Sequence, residues 1–236
     1  MCSLYESANQ FAQISAMSCF NFIKQSLAHP QCIGCGSFFV KVHLFCEVCF
    51  QQTVFEEFKL HKQKIDDKYL HYYALAWSNN SSTTLTTLVY ALKKNKSPLA
   101  WKFYARLFSI CCLLQSDADK FDYIVPVPSA AWASRHAFYF AAELSKIYNI
   151  PLIDCLSKTS TELPQKMKSA EMRKAALERQ VQFNYESFTE NMFQSKAVLF
   201  VDDILTTGSS FLACHKTLGC NTESSILTLF YREKHN

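Results

Sequence analysis

The run Val198-Leu-Phe-Val-Asp-Asp-Ile-Leu-Thr-Thr-Gly-Ser-Ser210 constrains this chain more than any other segment: an apolar strand leads into two adjacent acids and then a short Thr/Gly/Ser loop. Four consecutive apolar residues suit a strand buried on both faces of a parallel sheet. Asp202 and Asp203 then fall at its carboxyl end, where open α/β sheets place their ligands. Thr206, Thr207, Gly208, Ser209 and Ser210 open a helix expected over residues 211–218. Backbone N–H groups, hydroxyls and the helix dipole therefore converge where a phosphate can sit. Acids that hold sugar hydroxyls, followed by a phosphate cradle, describe a site for a ribose 5-phosphate.

Glycine usage sharpens this reading, because the chain contains only Gly34, Gly36, Gly208 and Gly219. A loop that folds its backbone against a phosphate needs a residue without Cβ at the closest approach, and Gly208 supplies it. An apolar run ending in Asp-Asp also occurs as the metal-binding strand of P-loop ATPases. That fold requires a partner G-x-x-x-x-G-K-[ST], which no pair of these glycines can form, and a G-x-G-x-x-G is absent too. The plainer alternative is a buried strand whose acids cap the following helix. The segment resembles the phosphoribosyl pyrophosphate loop of type I phosphoribosyltransferases. The resemblance implies that Asp202 and Asp203 bind the ribose 2- and 3-hydroxyls, that Thr206 to Ser210 hold the 5-phosphate, and that Mg²⁺ accompanies phosphoribosyl pyrophosphate.

The second strong feature is Cys32-Ile-Gly-Cys35, followed after ten residues by Cys46-Glu-Val-Cys49. Thiolates at i and i+3 on a tight turn can face one ion, and Gly34 and Gly36 let the first turn fold back around its sulfurs. Two such turns complete a tetrahedral, closed and therefore structural Zn²⁺ site. Disulfides are the alternative, and the expected compartment argues against them. Met1 to Gln10 carry no Lys or Arg, so no signal peptide is expected and a cytoplasmic location is. The other cysteines (Cys2, Cys19, Cys111, Cys112, Cys155, Cys214, Cys220) read as reduced core thiols.

At 236 residues the chain is long enough for one core of ordinary size plus a small metal-stabilised module. No apolar run is long enough to span a bilayer; the best, residues 107–114, is preceded by Lys102 and Arg106, so no transmembrane segment is expected. The patterning divides the chain into an N-terminal helix and four-cysteine finger (1–64) and a phosphoribosyltransferase-like domain (65–236). Helical spacing is expected over 4–27, a helix or linker over 50–64, and helices over 84–94, 98–114 and 133–148. Strands are expected over 72–77, 121–128, 152–156, 197–201 and 225–231. Strands alternating with helices predict an α/β fold with a mainly parallel, doubly wound sheet.

A four-cysteine module ahead of this loop resembles the ComF proteins of bacterial natural transformation. Leu92-Lys93 matches that family's Leu-Lys after the first helix, and Asp122-Tyr-Ile-Val-Pro-Val-Pro128 its Asp-x-x-x-Pro-Val-Pro strand. Residues 161–173 match a segment with Gln165 and Arg173 in place. One block departs: where the family has Arg-Gly-Phe-Asn-Gln, this chain has His136-Ala-Phe-Tyr-Phe140, with Phe138 kept and Arg135 one residue early. The resemblance implies a competence protein that handles incoming single-stranded DNA in the cytoplasm, alongside other uptake proteins, and retains a phosphoribosyl pyrophosphate pocket. The likeness to type I phosphoribosyltransferases also implies a closing loop from which Lys166, Lys168 and Arg173 approach the pyrophosphate.

Charge patterning points to the same partners. The net charge of +4 is modest, but no acid occurs between Asp67 and Asp117, a stretch holding Lys93, Lys94, Lys96, Lys102 and Arg106. Lys93, Lys94 and Lys96 at a helix end read as an anion site able to track a nucleic-acid backbone. Trp77, Tyr90, Trp101, Phe103 and Tyr104 are interleaved, and for Trp77, Phe103 and Tyr104 a core role is the favoured reading. Two functions follow as expectations: a single-stranded-DNA-handling protein with a sugar-phosphate pocket, or an active phosphoribosyltransferase whose acceptor site the sequence does not reveal.

Overall fold

The structure, a computed structural model, describes residues 31–38, 44–78, 83–95, 98–112, 118–129, 135–159, 180–185, 188–219 and 223–232. The helix expected over 4–27, the segment carrying Gln165, Lys166, Lys168 and Arg173, and Lys96 lie outside the described residues. Behind the cysteines, a short helix α1 (Glu47–Phe50) widens into a turn over Gln51–Phe55, where Glu56 N–H reaches Gln51 O at 3.3 Å. The remaining elements are β1 (His61–Ile65), β2 (Tyr69–Trp77), α2 (Thr83–Asn95), α3 (Pro98–Cys112), β3 (Tyr123–Pro126), α4 (His136–Tyr148), β4 (Leu156–Lys158), β5 (Val181–Phe183), β6 (Ala197–Leu205), α5 (Ser209–Leu218) and β7 (Glu223–Arg232).

The main sheet has the order β1-β2-β7-β6-β3, and every pairing is parallel except the β1–β2 hairpin. The α/β, mainly parallel architecture expected from the sequence is the one observed. β6 and β7 lie inside the sheet, which explains the unbroken apolar run: Val198, Leu199, Phe200 and Val201 are all fully buried. α3 and α4 cover one face with Trp101, Tyr104, Phe108, Phe140 and Leu144, each fully buried and each stabilising by roughly 2–3 kcal/mol relative to exposure. Cys32, Phe45, Phe50 and Val54 belong to this same continuous core, so the cysteine turns pack directly on the sheet's helices.

Three departures from the sequence reading have local causes. Residues 61–64, expected in a helix or linker, form β1: His61, Gln63 and Ile65 are half-buried while Lys62 and Lys64 face solvent, the period of a strand. The hairpin turn is closed by Lys68 N–H to Ile65 O at 3.1 Å, with Asp66 and Asp67 at φ 48° and 54°, a left-handed turn that acids tolerate. β6 runs past Val201 to Leu205 because β7 continues beside it, pairing Asp202 with Thr228 and Leu205 with Tyr231. β3 stops opposite Val201, so the two acids sit on a strand whose other edge has just been vacated. The strand expected over 152–156 is reduced to a single bridge from Leu152 to Ile124; the chain instead forms β4 over Leu156–Lys158, paired antiparallel with β5, which falls where the sequence suggested no element.

A buried polar chain crosses the hairpin edge of the sheet. The Gln63 amide donates to His71 Nδ1 at 2.9 Å, His71 Nε2–H donates to Thr228 Oγ1 at 2.8 Å, and the Thr228 hydroxyl donates to Phe230 O at 2.8 Å. His71 is fully buried, and burial pulls its pKa down from 6.5 to about 3. The unfolded chain therefore binds a proton that the folded one refuses between those values. Stability is complete above about pH 6.5 and declines as pH falls toward 3. From this group alone, unfolding in urea at pH 5 should show a loss of about 2 kcal/mol relative to pH 7. In His71→Gln that pH dependence should flatten by a similar amount.

Candidate functional site

Among the described residues, four cysteine sulfurs form a close cluster. The Sγ atoms of Cys32, Cys35, Cys46 and Cys49 all lie within 4.8 Å of one another, and Cys35 Sγ is 3.7 Å from Cys46 Sγ. The first turn closes through Gly36 N–H to Cys32 O at 2.8 Å, with Gly36 at φ 75°. A Cβ on Gly34 would come 3.0 Å from Cys49 Sγ and 3.4 Å from the Thr84 methyl of α2, so the turn presses on both the second cysteine pair and that helix. Cys46 and Cys49 are set by the start of α1, where Phe50 N–H bonds Cys46 O at 2.9 Å. Burial opposes ionisation of Cys32, but N–H donors from Cys46, Cys35 and Gly34 outweigh it and bring the thiol down to about 6. At Cys49, burial and the neighbouring sulfurs push the thiol up to about 12. The four sulfurs are close enough to ligate one four-coordinate ion, which would draw all of them into the thiolate form. The described cysteines form no disulfide, and burial holds Cys112 and Cys155 near 12 as inert thiols.

The second cluster occupies the carboxyl end of β6. Asp203 N–H donates to Asp202 Oδ1 at 2.8 Å and Ile204 N–H donates to Asp203 Oδ1 at 2.9 Å, so each carboxylate grips the next amide. Asp203 is buried and Asp202 half-buried, and burial together with the Asp203 charge pushes the Asp202 carboxyl well above its ordinary range. Thr206 and Thr207 are exposed at the loop crest, Gly208 is buried, and Ser209 and Ser210 are half-buried in the first turn of α5. Gly208 has φ 78°, and a Cβ there would meet Ile65 at 3.3 Å, so the hairpin tip leans on the loop where only glycine fits. Thr207 Oγ1 and Ser209 Oγ lie 2.9 Å apart, and α5 begins with no acid in its first turn, leaving its positive end open to an anion.

Lys93 joins this cluster. Its Nζ lies 3.5 Å from Asp203 Oδ2, at the end of α2. The lysine grouped by sequence with a nucleic-acid patch is thus engaged by the acidic pair; Lys94 also lies on α2. The interleaved aromatics are mostly core: Trp77, Trp101 and Tyr104 are buried, Phe103 packs edge-on against Phe50 at 5.5 Å, and of the five Tyr90 alone is exposed. The acid-free stretch is not acid-free in space, because Arg106 pairs with Glu143 at 3.0 Å.

Arg135 lies elsewhere, at the start of α4. It pairs with Asp154 and lies 3.8 Å above the Phe138 ring, on the wall of a cavity of about 760 Å³ at the end of β3. Arg135 thus stacks on Phe138, one turn further along the same helix. Asp154, Lys158 and Tyr185 of that cavity were not singled out from the sequence, which offers no local motif around them.

No protein-family model and no curated protein matches the chain. Among solved structures it is similar to an adenine phosphoribosyltransferase (18% identity, 78% of this chain and 89% of that one, TM-score 0.38). It is also similar to adenine phosphoribosyltransferase from Saccharomyces cerevisiae (16% identity, 79% and 89%, TM-score 0.38). A third similar structure is the UMP synthase of Leishmania donovani (19% identity, 60% of this chain, TM-score 0.34), of which the chain spans 24%. Superpositions this loose transfer no activity. Among the described residues, no helix is long and apolar enough to cross a membrane.

Proposed function

We propose that this chain binds a ribose 5-phosphate group, in the form of phosphoribosyl pyrophosphate with Mg²⁺, on the loop from Asp202 to Ser210, and that it carries a structural Zn²⁺ on Cys32, Cys35, Cys46 and Cys49. The observation that carries the first part is the juxtaposition at the end of β6: two carboxylates, a lysine on one of them, and a glycine-initiated helix immediately after. Carboxylates accept hydrogen bonds from sugar hydroxyls, and the start of α5 takes the phosphate. Lys93 offsets the Asp203 charge, so an anionic ligand meets less repulsion than that carboxylate alone would impose. Mg²⁺ binds through one or two carboxylates and the ligand's own phosphates, which Asp202 and Asp203 can supply in part. For the zinc, a Zn–S bond of about 2.3 Å sets tetrahedral S···S edges near 3.8 Å. The 3.7 Å separation of Cys35 and Cys46 matches that edge.

Binding, rather than transfer to an acceptor, is what these residues support. The wider reading, a competence protein handling single-stranded DNA beside other uptake proteins, rests on the sequence resemblance. Its physical basis is weakened where Lys93 and Arg106 are engaged by acids and Trp101 and Tyr104 are buried.

Lys93→Ala separates the two roles. Calorimetry should show Mg-phosphoribosyl pyrophosphate binding weakened about tenfold, with single-stranded DNA affinity and its salt dependence unchanged. If Lys93 instead tracks a nucleic-acid backbone, the sugar-phosphate affinity will hold and the log-log salt slope for single-stranded DNA will fall by roughly 0.7.

A further inference from the structure

α3 buries one side in the core through Trp101, Tyr104, Ala105 and Phe108. Its opposite side is not the uniformly polar surface that such a helix ordinarily turns to water. Leu99 and Ile110 are 61% and 70% exposed, and half-buried Phe103 stands between them. The three share one side of the helix, because they are spaced four and then seven positions apart, each close to a whole number of turns. Phe103 meets Phe50 of α1 edge-on at 5.5 Å, and Phe50 lies 6.2 Å from Phe55, itself 43% exposed. Single exposed apolar side chains are ordinary, but these join into one strip that runs from the cysteine module along α3.

The size of the strip selects what covers it. A helix of 15 residues is about 22 Å long and about 10 Å wide, far less than the roughly 800 Å² that each partner contributes to a stable complex. A tethered segment of the same chain needs much less area, because its linkage holds it nearby at an effective concentration on the order of millimolar. Residues 1–30, a segment outside the described residues, lead into Cys32, which belongs to the core that contains Phe50 and against which Phe103 packs. In that segment Leu4, Phe11 and Phe22 recur seven and eleven positions apart, and eleven positions also separate Leu99 from Ile110. Its only Asp, Glu, Lys or Arg residues are Glu6 and Lys24, so it brings no net charge to set against Lys102 and Arg106 beside the strip. As a helix, residues 4–27 would measure about 36 Å, enough to span α3 from end to end.

We infer that residues 4–27 dock as a helix on α3, with the Leu4, Phe11 and Phe22 side against the strip of Leu99, Phe103 and Ile110. The segment that leads into the cysteine turns thereby fastens them to the helices of the sheet, whatever the sugar-phosphate loop binds.

Trypsin tests this on the full chain, because Lys24 is the only Lys or Arg before Lys41. Cleavage after Lys24, followed by mass spectrometry, should be slow in the parent and about tenfold faster in Ile110→Asp, a change at an exposed side chain. Phe11→Asp should accelerate it as much, Ile110→Leu should keep the parent rate, and combining the two Asp changes should add nothing, since either alone releases the helix. Cleavage after Lys216 of α5 should stay at the parent rate throughout. Equal cleavage at Lys24 in the parent and both Asp variants, or a rise at Lys216 that matches the rise at Lys24, would overturn the inference. A parent that is a dimer by light scattering and a monomer as Ile110→Asp would give the strip to a second copy and overturn it equally.

Discussion

With Asp202→Ala and Asp203→Ala combined, calorimetric titration with Mg-phosphoribosyl pyrophosphate should give no binding heat while the protein remains folded. Hydrogen bonds to charged groups contribute roughly 1.5–3 kcal/mol each, so losing both carboxylates should cost at least about a hundredfold in affinity. The fold should tolerate the change for the reason that the site is reactive. Burial and the adjacent Asp203 charge already disfavour ionised Asp202, and removing both acids relieves that conflict. The ammonium left behind on Lys93 has a side chain that is 43% exposed, so solvent can take over its charge. The amides of residues 203 and 204 lose the carboxylate oxygens that accept from them, so a cooperative transition is expected to persist at a melting temperature modestly below that of the parent. A double variant that binds the ligand as the parent does would remove the acids from the proposed role.

An equally large effect is expected from Cys46→Ser. Structural zinc sites contribute folding free energy on the order of 10 kcal/mol, more than the few buried side chains of the cysteine turns can supply. Metal analysis should fall from one zinc per parent chain toward none in the variant, and limited proteolysis should cut within residues 31–58. The damage should spread, because Gly34 packs against both Cys49 and Thr84 of α2, and Phe45 and Phe50 belong to the core that α3 and α4 share. α2 is also the helix that presents Lys93 to Asp203, so sugar-phosphate binding should weaken with zinc loss. A zinc-free variant with the parent's thermal transition would sink this part of the account.

Features written in contiguous residues were the legible ones. The β6 loop carries its strand, acids, glycine and helix start within one run, and each cysteine pair sets its own turn, so spacing alone describes the local geometry. What depends on distant partners was not legible. β1 escaped because its inward residues His61 and Gln63 are polar, and their partners lie across the sheet: Gln63 satisfies His71, and His61 stacks on Tyr73 at 4.8 Å. Hydrophobic periodicity is blind to a strand of that kind. The acid-free stretch misled in the same way, since Glu143 and Asp203 reach it only through the fold. The aromatic residues did hold a usable signal. Trp101, Tyr104 and Phe108 stand three and four positions apart on α3, the spacing of a buried helical stripe, and all three are fully buried.

The sparse glycines allow one direct observation of the central claim. Gly208 is the only one of the four that follows a threonine. Labelling threonine carbonyls with carbon-13 and glycine amides with nitrogen-15 therefore isolates the Thr207–Gly208 amide as a single resolved signal. Titrated with ribose 5-phosphate, and separately with Mg-phosphoribosyl pyrophosphate, that signal should move in a saturable manner. A Gly208 amide that remains fixed at saturating concentrations of both ligands would contradict a sugar-phosphate site on this loop.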